Sequence, residues 1–264
     1  MADHGQFYRF TSGGLVPVTK ETSGEVHLAV ADSWLVVDGR VLDLDGHFQR
    51  FATWVTASHP ILKDQLEEFL AAVREALPRQ GSWFPRIEFH SDAEPKGAFY
   101  LRLRQAPELL NEITLWTFPG PDPRSNPKLK GPDLSLGMQM RRNAKMHGAD
   151  EAILLNSEGF VLEGALSSIV WWRGDVLCAP DDSLPWLASI TRKLVFEIAK
   201  QMGIDTRLEK SKPADLVGLE IWALSSLQGI KPVSAWIGLG SPVGKASHLE
   251  AFQRRLRLLA KAID

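Results

Sequence analysis

A carboxylate stands inside a segment whose other residues have the composition of a buried strand. Residues 158–174 read EGFVLEGALSSIVWWRG, and Glu163 lies among the leucines, valines, isoleucine and tryptophans of that segment. Such residues favour pleated, half-buried strands, whereas a buried carboxylate is unfavourable unless a cation or a hydrogen-bond donor compensates it. Glu163 is therefore either a solvent-facing strand residue or an acid with a specific buried partner.

The sequence ASITRK at residues 188–193 predicts a helix start that can bind an anion. The first backbone N–H groups of a helix have no intrahelical partner, and the helix dipole places partial positive charge at the same end. Ser189, Ile190 and Thr191 are thus candidates for binding a phosphate group. Taken alone, Thr191 is more simply explained as a capping residue.

Three other stretches supply a lysine, two hydroxyls and an arginine. Lys130 ends a proline-rich stretch just before a predicted helix, and Arg50 follows His47 in GHFQRF, which predicts another helix start. Ser225 and Ser226 stand at the end of a predicted strand in WALSSLQGIKPV. Taken alone, the two serines fit a polar turn and Arg50 fits a surface charge.

The composition is that of a globular protein and excludes several classes of function. Of the 264 residues, 44% are hydrophobic and 23% are charged, and the net charge is −2 with scattered lysines and arginines, which argues against nucleic-acid binding. The single cysteine, Cys178, excludes an intrachain disulfide and makes a cysteine-based zinc site implausible, so we expect no metal. The sequence shows neither a signal peptide nor an apolar run of transmembrane length, and we therefore expect a cytoplasmic protein without membrane contact.

A proline-rich stretch divides the chain. FPGPDPRSNPKLKGPD, residues 118–133, contains five prolines, which oppose regular structure and predict a linker. The sequence predicts a small α+β domain at 1–117 and a larger β-rich domain with peripheral helices at 134–264. The fold class is therefore predicted to be α+β.

Hydrophobic periodicity and turn residues predict the elements of the two domains. In the first domain we predict two strands within 25–45 around an Asp38–Gly39 turn, a helix at about 47–77 broken near 58–60, and strands at 86–92, 98–105 and 112–118. After the linker we predict helices at 134–147, 189–202 and 248–262, and strands at 151–156, 160–165, 168–174, 175–180, 219–226 and 232–238.

The order and spacing of these residues resemble a known family. Eighteen residues after Lys130 comes GADEA, starting at Gly148, and then GFVLEG, ending at Gly164. Together with the upstream His-x-x-Arg and the Ile-Thr helix start, this pattern resembles the fold type IV pyridoxal-phosphate enzymes, which include branched-chain and D-amino-acid aminotransferases and 4-amino-4-deoxychorismate lyase. The resemblance covers the chain from about residue 31 onward and implies a two-domain fold like that of D-amino-acid aminotransferase.

The resemblance implies a role for each matched residue. Lys130, rather than the less well spaced Lys128, forms the Schiff base with pyridoxal 5′-phosphate and moves the α-proton. Glu163 faces the pyridinium nitrogen and keeps it protonated. The remaining cofactor-binding residues are Arg50, Ile190, Thr191 and Ser226 for the phosphate, and Leu187 for packing against the ring.

Several positions depart from the family pattern. Leu134 and Ser135 stand where relatives have a tyrosine or another polar group, and Ser168 replaces an asparagine. Ser189 replaces the glycine before Ile-Thr, and the strand end that relatives write Thr-Gly-Thr includes Ser225 here. In the early Phe-Glu-Thr/Ser segment, the chain has Ala-Asp-Ser at 31–33. These departures leave the substrate open and allow a weakly active or degenerate enzyme.

The resemblance implies one of three functions. The first is amino transfer between an amino acid and a 2-keto acid, and the second is aminodeoxychorismate lyase activity, which releases 4-aminobenzoate and pyruvate. The third is a degenerate, non-catalytic relative. Tyr100, Arg102 and Arg104 share one face of a predicted strand, where an arginine could bind a substrate carboxylate or the face could simply be solvated. Relatives are usually homodimers, and we expect the same here.

Overall fold

The computed structural model describes residues 5–19, 28–91, 98–239 and 242–264. The helices are α1 (Leu44–Ser58), α2 (Lys63–Ala76), α3 (Leu134–Met146), α4 (Ile190–Gln201) and α5 (Leu249–Leu258). The strands are β1 (Gln6–Thr11), β2 (Gly14–Pro17), β3 (Leu28–Ser33), β4 (Val36–Val37), β5 (Arg40–Val41), β6 (Ser82–Trp83), β7 (Arg86–His90), β8 (Ala98–Leu103), β9 (Ile113–Pro121), β10 (Glu151–Leu155), β11 (Val161–Gly164), β12 (Ser168–Arg173), β13 (Val176–Pro180), β14 (Thr206–Glu209), β15 (Ile221–Ser225), β16 (Gly229–Ile237) and β17 (Lys261–Ala262). None of the helices in this described part is both long and apolar enough to span a membrane.

The chain forms two compact units. Unit 1 comprises Met1–Glu108, Leu129–Pro132 and Leu259–Asp264, and unit 2 comprises Leu109–Lys128 and Asp133–Leu258. The short segment that carries Lys130 thus belongs to unit 1, together with the N-terminal part of the chain. The domain boundaries inferred from sequence stay a prediction.

Unit 1 is built on an antiparallel sheet with the order β2-β1-β8-β7-β3 among the described residues. Helix α1 packs against β3, and the aromatic side chains of both helices and of β7 and β8 form the core beneath the sheet. Phe51, Phe69, Phe89 and Phe99 are fully buried there. This core fixes α1 against β3, which matters because both elements carry side chains of the candidate site.

The predicted hairpin and the predicted break of the first helix are confirmed. Asp38 and Gly39 have φ values of 47° and 70° and connect β4 to β5, as expected for a two-residue Asp-Gly turn. Helix α1 begins at Leu44, three residues earlier than predicted, because the Asp43 side chain accepts a hydrogen bond from the Gly46 N–H and caps the helix. A 3-10 turn at Pro60–Leu62 separates α1 from α2.

Unit 2 is built on a mixed sheet with the order β11-β10-β9-β16-β15-β12-β13-β14 in the described part of the chain. The pairs β9/β10, β9/β16 and β13/β14 are parallel, and the other pairs are antiparallel. Strands β10 to β13, β15 and β16, and helices α3 to α5, lie close to their predicted places, although α5 ends at Leu258 and is followed by β17. The order brings β11, which carries Glu163, to one edge of the sheet.

The prediction that the prolines of 118–133 exclude regular structure is wrong for its first four residues. Strand β9 continues to Pro121. Strand β16 pairs with β9 only as far as Trp116, and the β9/β10 register shifts before Pro121. Proline lacks an N–H donor and is tolerated where a partner strand is missing or a bulge interrupts the ladder.

Candidate active site

Glu163 is buried in β11 with two donors on one of its oxygens. Its side chain belongs to a residue that is 4% exposed. The Arg124 Nη1 lies 2.9 Å from Glu163 Oε1, and the Leu187 backbone N–H donates to the same oxygen over 3.0 Å. Within the described residues, Oε2 has no hydrogen-bond partner. The solvent-facing alternative for Glu163 is therefore wrong, because the acid is buried with a defined partner and one unengaged oxygen.

Burial and charge act on Glu163 in opposite directions. Burial raises the pKa of Glu163 to about 7, although the Arg124 charge and the Leu187 amide oppose that rise. A carboxyl group with such a pKa exchanges its proton near neutral pH and is ionised most readily when a further positive group approaches it. Perturbed acids of this kind are found mainly at functional sites.

The raised pKa predicts how stability depends on pH without a ligand. The ordinary pKa of the carboxyl is 4.5, so between pH 4.5 and about 7 the folded chain binds more protons than the unfolded chain. The stabilising contribution of Glu163 to the free energy of unfolding is thus fully present below pH 4.5 and is lost as pH rises to about 7. The loss amounts to at most about 3 kcal/mol. We expect the free energy of unfolding of Glu163→Gln to rise relative to wild type over this range in urea titrations of the cofactor-free protein.

A matched variant isolates that effect. Glu158 is an exposed glutamate five residues before Glu163, and Glu158→Gln should run parallel to wild type at every pH. A Glu163→Gln curve that also runs parallel to wild type would show that the carboxyl titrates normally.

Arg124 and Asp122 were missed by the sequence reasoning. They lie in the predicted linker, where Arg124 Nε and Nη2 donate to both carboxylate oxygens of Asp122 over 2.8–3.0 Å. Both side chains are nearly buried. Such a two-pronged ion pair fixes the guanidinium plane, so that Nη1 is held on Glu163. Nothing in the local sequence indicates that Arg124 pairs with Glu163, because these two residues are far apart in the chain.

The start of α4 presents unpartnered amides, as predicted. Ser189 is the N-cap, and its hydroxyl accepts a hydrogen bond from the Arg192 N–H. The backbone N–H groups of Ile190 and Thr191 make no hydrogen bond with any residue that the structure describes, and Thr191 is buried. The serine that replaces the family's glycine therefore caps the helix and leaves the two preceding amides available to a ligand.

The hydroxyl-bearing strand end lies where it was predicted. Strand β15 ends at Ser225, whose hydroxyl accepts a hydrogen bond from the Gln228 N–H and shapes the turn. The Ser226 hydroxyl, at the first position after the strand, has no hydrogen-bond partner in the described ranges. Ser168, another departure, occupies a buried position opposite Leu224 in the β12/β15 ladder.

Lys130 is tied to β3 through its backbone. Its carbonyl oxygen accepts a hydrogen bond from the Ala31 N–H over 2.7 Å. A Cβ atom added to Gly131 would lie 2.2 Å from the Ala29 carbonyl oxygen, so only glycine allows this close approach. Lys130 is half-buried, whereas Lys128 is exposed. The sequence immediately around Lys130 thus fixes its backbone against β3, the strand that also carries Asp32.

Arg50 and His47 converge on Asp32. Arg50 Nε lies 2.8 Å from Asp32 Oδ2, Arg50 Nη2 lies 2.8 Å from Oδ1, and His47 Nδ1 lies 2.8 Å from Oδ1. Residues three apart share one face of a helix, which explains the His-x-x-Arg spacing. Burial acts to raise the pKa of Asp32, but Arg50 and His47 outweigh it and hold that pKa well below its usual range.

The predicted residues fall into two groups. Lys130 and Arg50 lie in unit 1, and Glu163, Leu187, Ile190, Thr191 and Ser226 lie in unit 2. Within unit 2, Glu163 and Leu187 are in direct contact. Within unit 1, Asp32 binds Arg50, and the residue before it, Ala31, binds the Lys130 carbonyl. Leu134 and Ser135, the departures after the lysine, are the first two residues of α3.

The strand face with Tyr100 and Arg102 is more enclosed than a solvated face. Tyr100 lies opposite Glu88, and Arg102 lies opposite Arg86, in the β7/β8 ladder. Tyr100 and Glu88 are buried. Glu88 lies 2.8 Å from both Arg86 Nε and His90 Nε2. The face therefore carries a buried network of charged groups.

Arg104 differs from the other arginines of this face. Its Nε donates to the Phe84 carbonyl oxygen over 2.9 Å, and its guanidinium lies 4.7 Å from the Phe84 ring centre. Burial, with the charges of Arg102 and Arg86, lowers the pKa of Arg104 to about 10. Arg104 is thus committed to packing against Phe84.

A sequence model described as Amino-transferase class IV matches residues 29–236, which is well over half of the chain. The chain belongs to the class IV aminotransferase family. The predicted resemblance is thereby confirmed at the level of the family, which includes both aminotransferases and aminodeoxychorismate lyases.

Curated members of the class IV aminotransferase family match the chain over shorter stretches. The chain is 26% identical to the aminodeoxychorismate lyase of Vibrio harveyi over 110 residues, which are 40% of either protein. It is 32% identical over 101 residues to the bifunctional aminodeoxychorismate lyase / D-amino acid transaminase of Mycobacterium tuberculosis, with 35% of each covered. These matches span less than half the length of the curated relatives.

A solved structure shows that the fold is shared. A hypothetical aminotransferase from Mycobacterium tuberculosis, in its PLP-bound form, superimposes with a TM-score of 0.79 over 96% of this chain and 98% of that chain, at 19% identity. The predicted fold class is confirmed: the chain has the α+β fold of the fold type IV enzymes, with a smaller sheet unit and a larger mixed-sheet unit.

Proposed function

We propose that this class IV family member is a pyridoxal-phosphate-dependent aminotransferase that moves an amino group between an amino acid and a 2-keto acid. The observation that carries the proposal is the buried Glu163, with Oε1 engaged by Arg124 and Leu187 and with no described partner on Oε2. A buried acid in this state suits a cationic N–H donor, and the protonated ring nitrogen of the cofactor is such a donor.

The other described groups fit the phosphate of the same cofactor. A phosphate dianion needs several donors and positive charge. The Ile190 and Thr191 amides at the start of α4, and the Thr191 and Ser226 hydroxyls, have no hydrogen-bond partner among the residues described in unit 2. Arg50 in unit 1 supplies a guanidinium. The donor set thus supports the cofactor assignment, with Leu187 packing against the ring.

The roles of the residues follow from their chemistry. When bound, pyridoxal phosphate accepts the electrons released at the substrate α-carbon. Lys130 Nζ would hold the cofactor through its aldehyde carbon, and as the free amine it would take the α-proton and return it. Glu163 holds the proton on the ring nitrogen. Arg50 and the α4 amides would bind the phosphate.

The test of this proposal is a half-reaction. Protein loaded with pyridoxal phosphate is mixed with single amino acids of either configuration, and the conversion of cofactor to its amino form is followed by absorbance together with the keto acid released. Conversion with a 2-keto acid as product supports amino transfer. Release of pyruvate and 4-aminobenzoate from aminodeoxychorismate, without conversion, would establish the lyase instead. Cofactor that binds and never reacts would establish the degenerate relative.

The homodimer and the cytoplasmic location stay predictions. The homodimer is supported by the family resemblance, and light scattering of the purified protein measures it directly. A monomer that converts the cofactor at full rate would contradict the homodimer.

A further inference from the structure

Asp32 is not one of the residues proposed to bind the cofactor, yet it pairs with one of them, Arg50. Its carboxylate is fully buried and accepts hydrogen bonds from Arg50, from the Ser33 N–H at 2.7 Å and, through Nδ1, from His47. Resting on the proposed function, we propose that Asp32 is the positioning residue that fixes Arg50 in the orientation in which it binds the cofactor phosphate.

The geometry of the ion pair supports this role. Asp32 engages Nε and Nη2 of Arg50, which lie on one edge of the guanidinium. This pair uses two of the five N–H groups of an arginine. An arginine side chain otherwise samples many rotamers, and fixing it before a ligand arrives removes that entropic cost from binding.

Asp32 is itself held in place. It lies in β3 opposite Ile87 of β7. The Oδ1 atom of Asp32 accepts hydrogen bonds from both His47 and Arg50. Helix α1, which carries both partners, packs against β3. A carboxylate that is anchored by its strand and engaged by two side chains of one helix has little freedom to move, and the guanidinium paired with it shares that restriction.

Ala31, the neighbour of Asp32 in β3, makes a separate contact that also holds a residue of the proposed site. The Ala31 N–H binds the Lys130 carbonyl, so consecutive residues of β3 fix the lysine segment and the arginine of unit 1. A surface ion pair that only joined a helix to a sheet would not require a fully buried carboxylate, because burying a charge carries a desolvation cost.

The charge of Asp32 has two opposite effects on the affinity for the phosphate. A carboxylate beside a phosphate weakens the attraction between the phosphate and Arg50, whereas a fixed guanidinium strengthens binding. If positioning dominates, removing the charge of Asp32 weakens phosphate binding. If competition dominates, removing it tightens phosphate binding.

The experiment compares the affinity for pyridoxal phosphate with that for pyridoxal, which lacks the phosphate, in equilibrium dialysis. Wild type, Asp32→Asn, Asp32→Glu, Arg50→Ala and Asp32→Asn/Arg50→Ala are measured, with circular dichroism to establish folding. We expect Asp32→Asn to weaken pyridoxal phosphate binding about 10- to 100-fold and to leave pyridoxal binding unchanged. We expect the double variant to bind pyridoxal phosphate as weakly as Arg50→Ala and no more weakly, since both changes remove the same interaction with the phosphate.

Glu88→Gln is the matched control. Glu88 is a buried carboxylate on β7 that also binds an arginine and a histidine, Arg86 and His90, and it lies opposite Ala31 in the β3/β7 ladder. Its removal should cost stability in the same way while the preference for pyridoxal phosphate over pyridoxal stays at the wild-type value. Asp32→Glu keeps the charge but displaces the carboxylate, so the preference should fall there too, and it serves if Asp32→Asn does not fold.

The outcomes separate this inference from the proposed function. A wild-type protein that does not prefer pyridoxal phosphate over pyridoxal contradicts the cofactor assignment itself. If Arg50→Ala loses the preference and the folded Asp32 variants keep it or increase it, the cofactor assignment stands and the positioning role is overturned. Equal losses for both ligands, or additive losses in the double variant, overturn it as well.

Discussion

Replacing Lys130 by alanine should lower the rate of amino transfer by at least about 1,000-fold, because it removes the covalent attachment point of the cofactor and the amine that moves the α-proton. Initial rates of keto acid formation at saturating cofactor measure this effect. Lys130→Arg keeps the positive charge and should be equally inactive, since a guanidinium does not lose its proton near neutral pH.

Lys128→Ala is the control for that prediction. Lys128 is exposed and lies two residues before Lys130, so its loss should leave the rate at the wild-type value. A Lys130→Ala protein that keeps wild-type activity, or a Lys128→Ala protein that loses it, would contradict the assignment of the lysine.

Glu163→Gln should lower kcat by about 100- to 1,000-fold, the range found when one group that stabilises developing charge is removed. The amide has nearly the size of the carboxyl and can still accept from Arg124 and from the Leu187 N–H, but it carries no charge to hold a proton on the ring nitrogen. Rates with saturating cofactor and amino acid measure this effect.

Glu151→Gln separates the loss of a buried acid from the loss of a catalytic charge. Glu151 is a buried glutamate of β10 whose pKa is raised by burial, and it binds the Ser167 hydroxyl and the Ala152 N–H. Its replacement should change stability and leave kcat unaltered. Similar kcat values for Glu163→Gln and wild type would remove Glu163 from the mechanism.

The local elements could be predicted because their signals are local. The Asp38–Gly39 turn, the proline at position 60 and the glycine that ends α3 at Gly148 act within a few residues of the structure they determine. Strand β14 (Thr206–Glu209) was missed because its residues are mostly exposed and show no apolar alternation. The prolines of β9 misled the prediction, since their effect depends on which neighbouring strands pair with them.

The candidate site could be predicted in part. The motif predicted Lys130 and Glu163 as site residues, but it did not predict the side chains that position the site. Arg124 and Asp32 act through partners that are distant in sequence, and a charged residue shows no sign of burial until its partner is known. Asp32 was interpreted only as a departure from a family pattern, whereas the structure places it at the centre of a network of charged groups.

The measurement that tests the central claim most directly is the site of covalent attachment. The protein is incubated with pyridoxal phosphate, reduced with borohydride, digested, and its peptides are weighed by mass spectrometry. We expect the cofactor mass on Lys130 and not on Lys128. No reduced adduct on folded protein, or an adduct on a different lysine, would contradict the claim that Lys130 carries the chemistry.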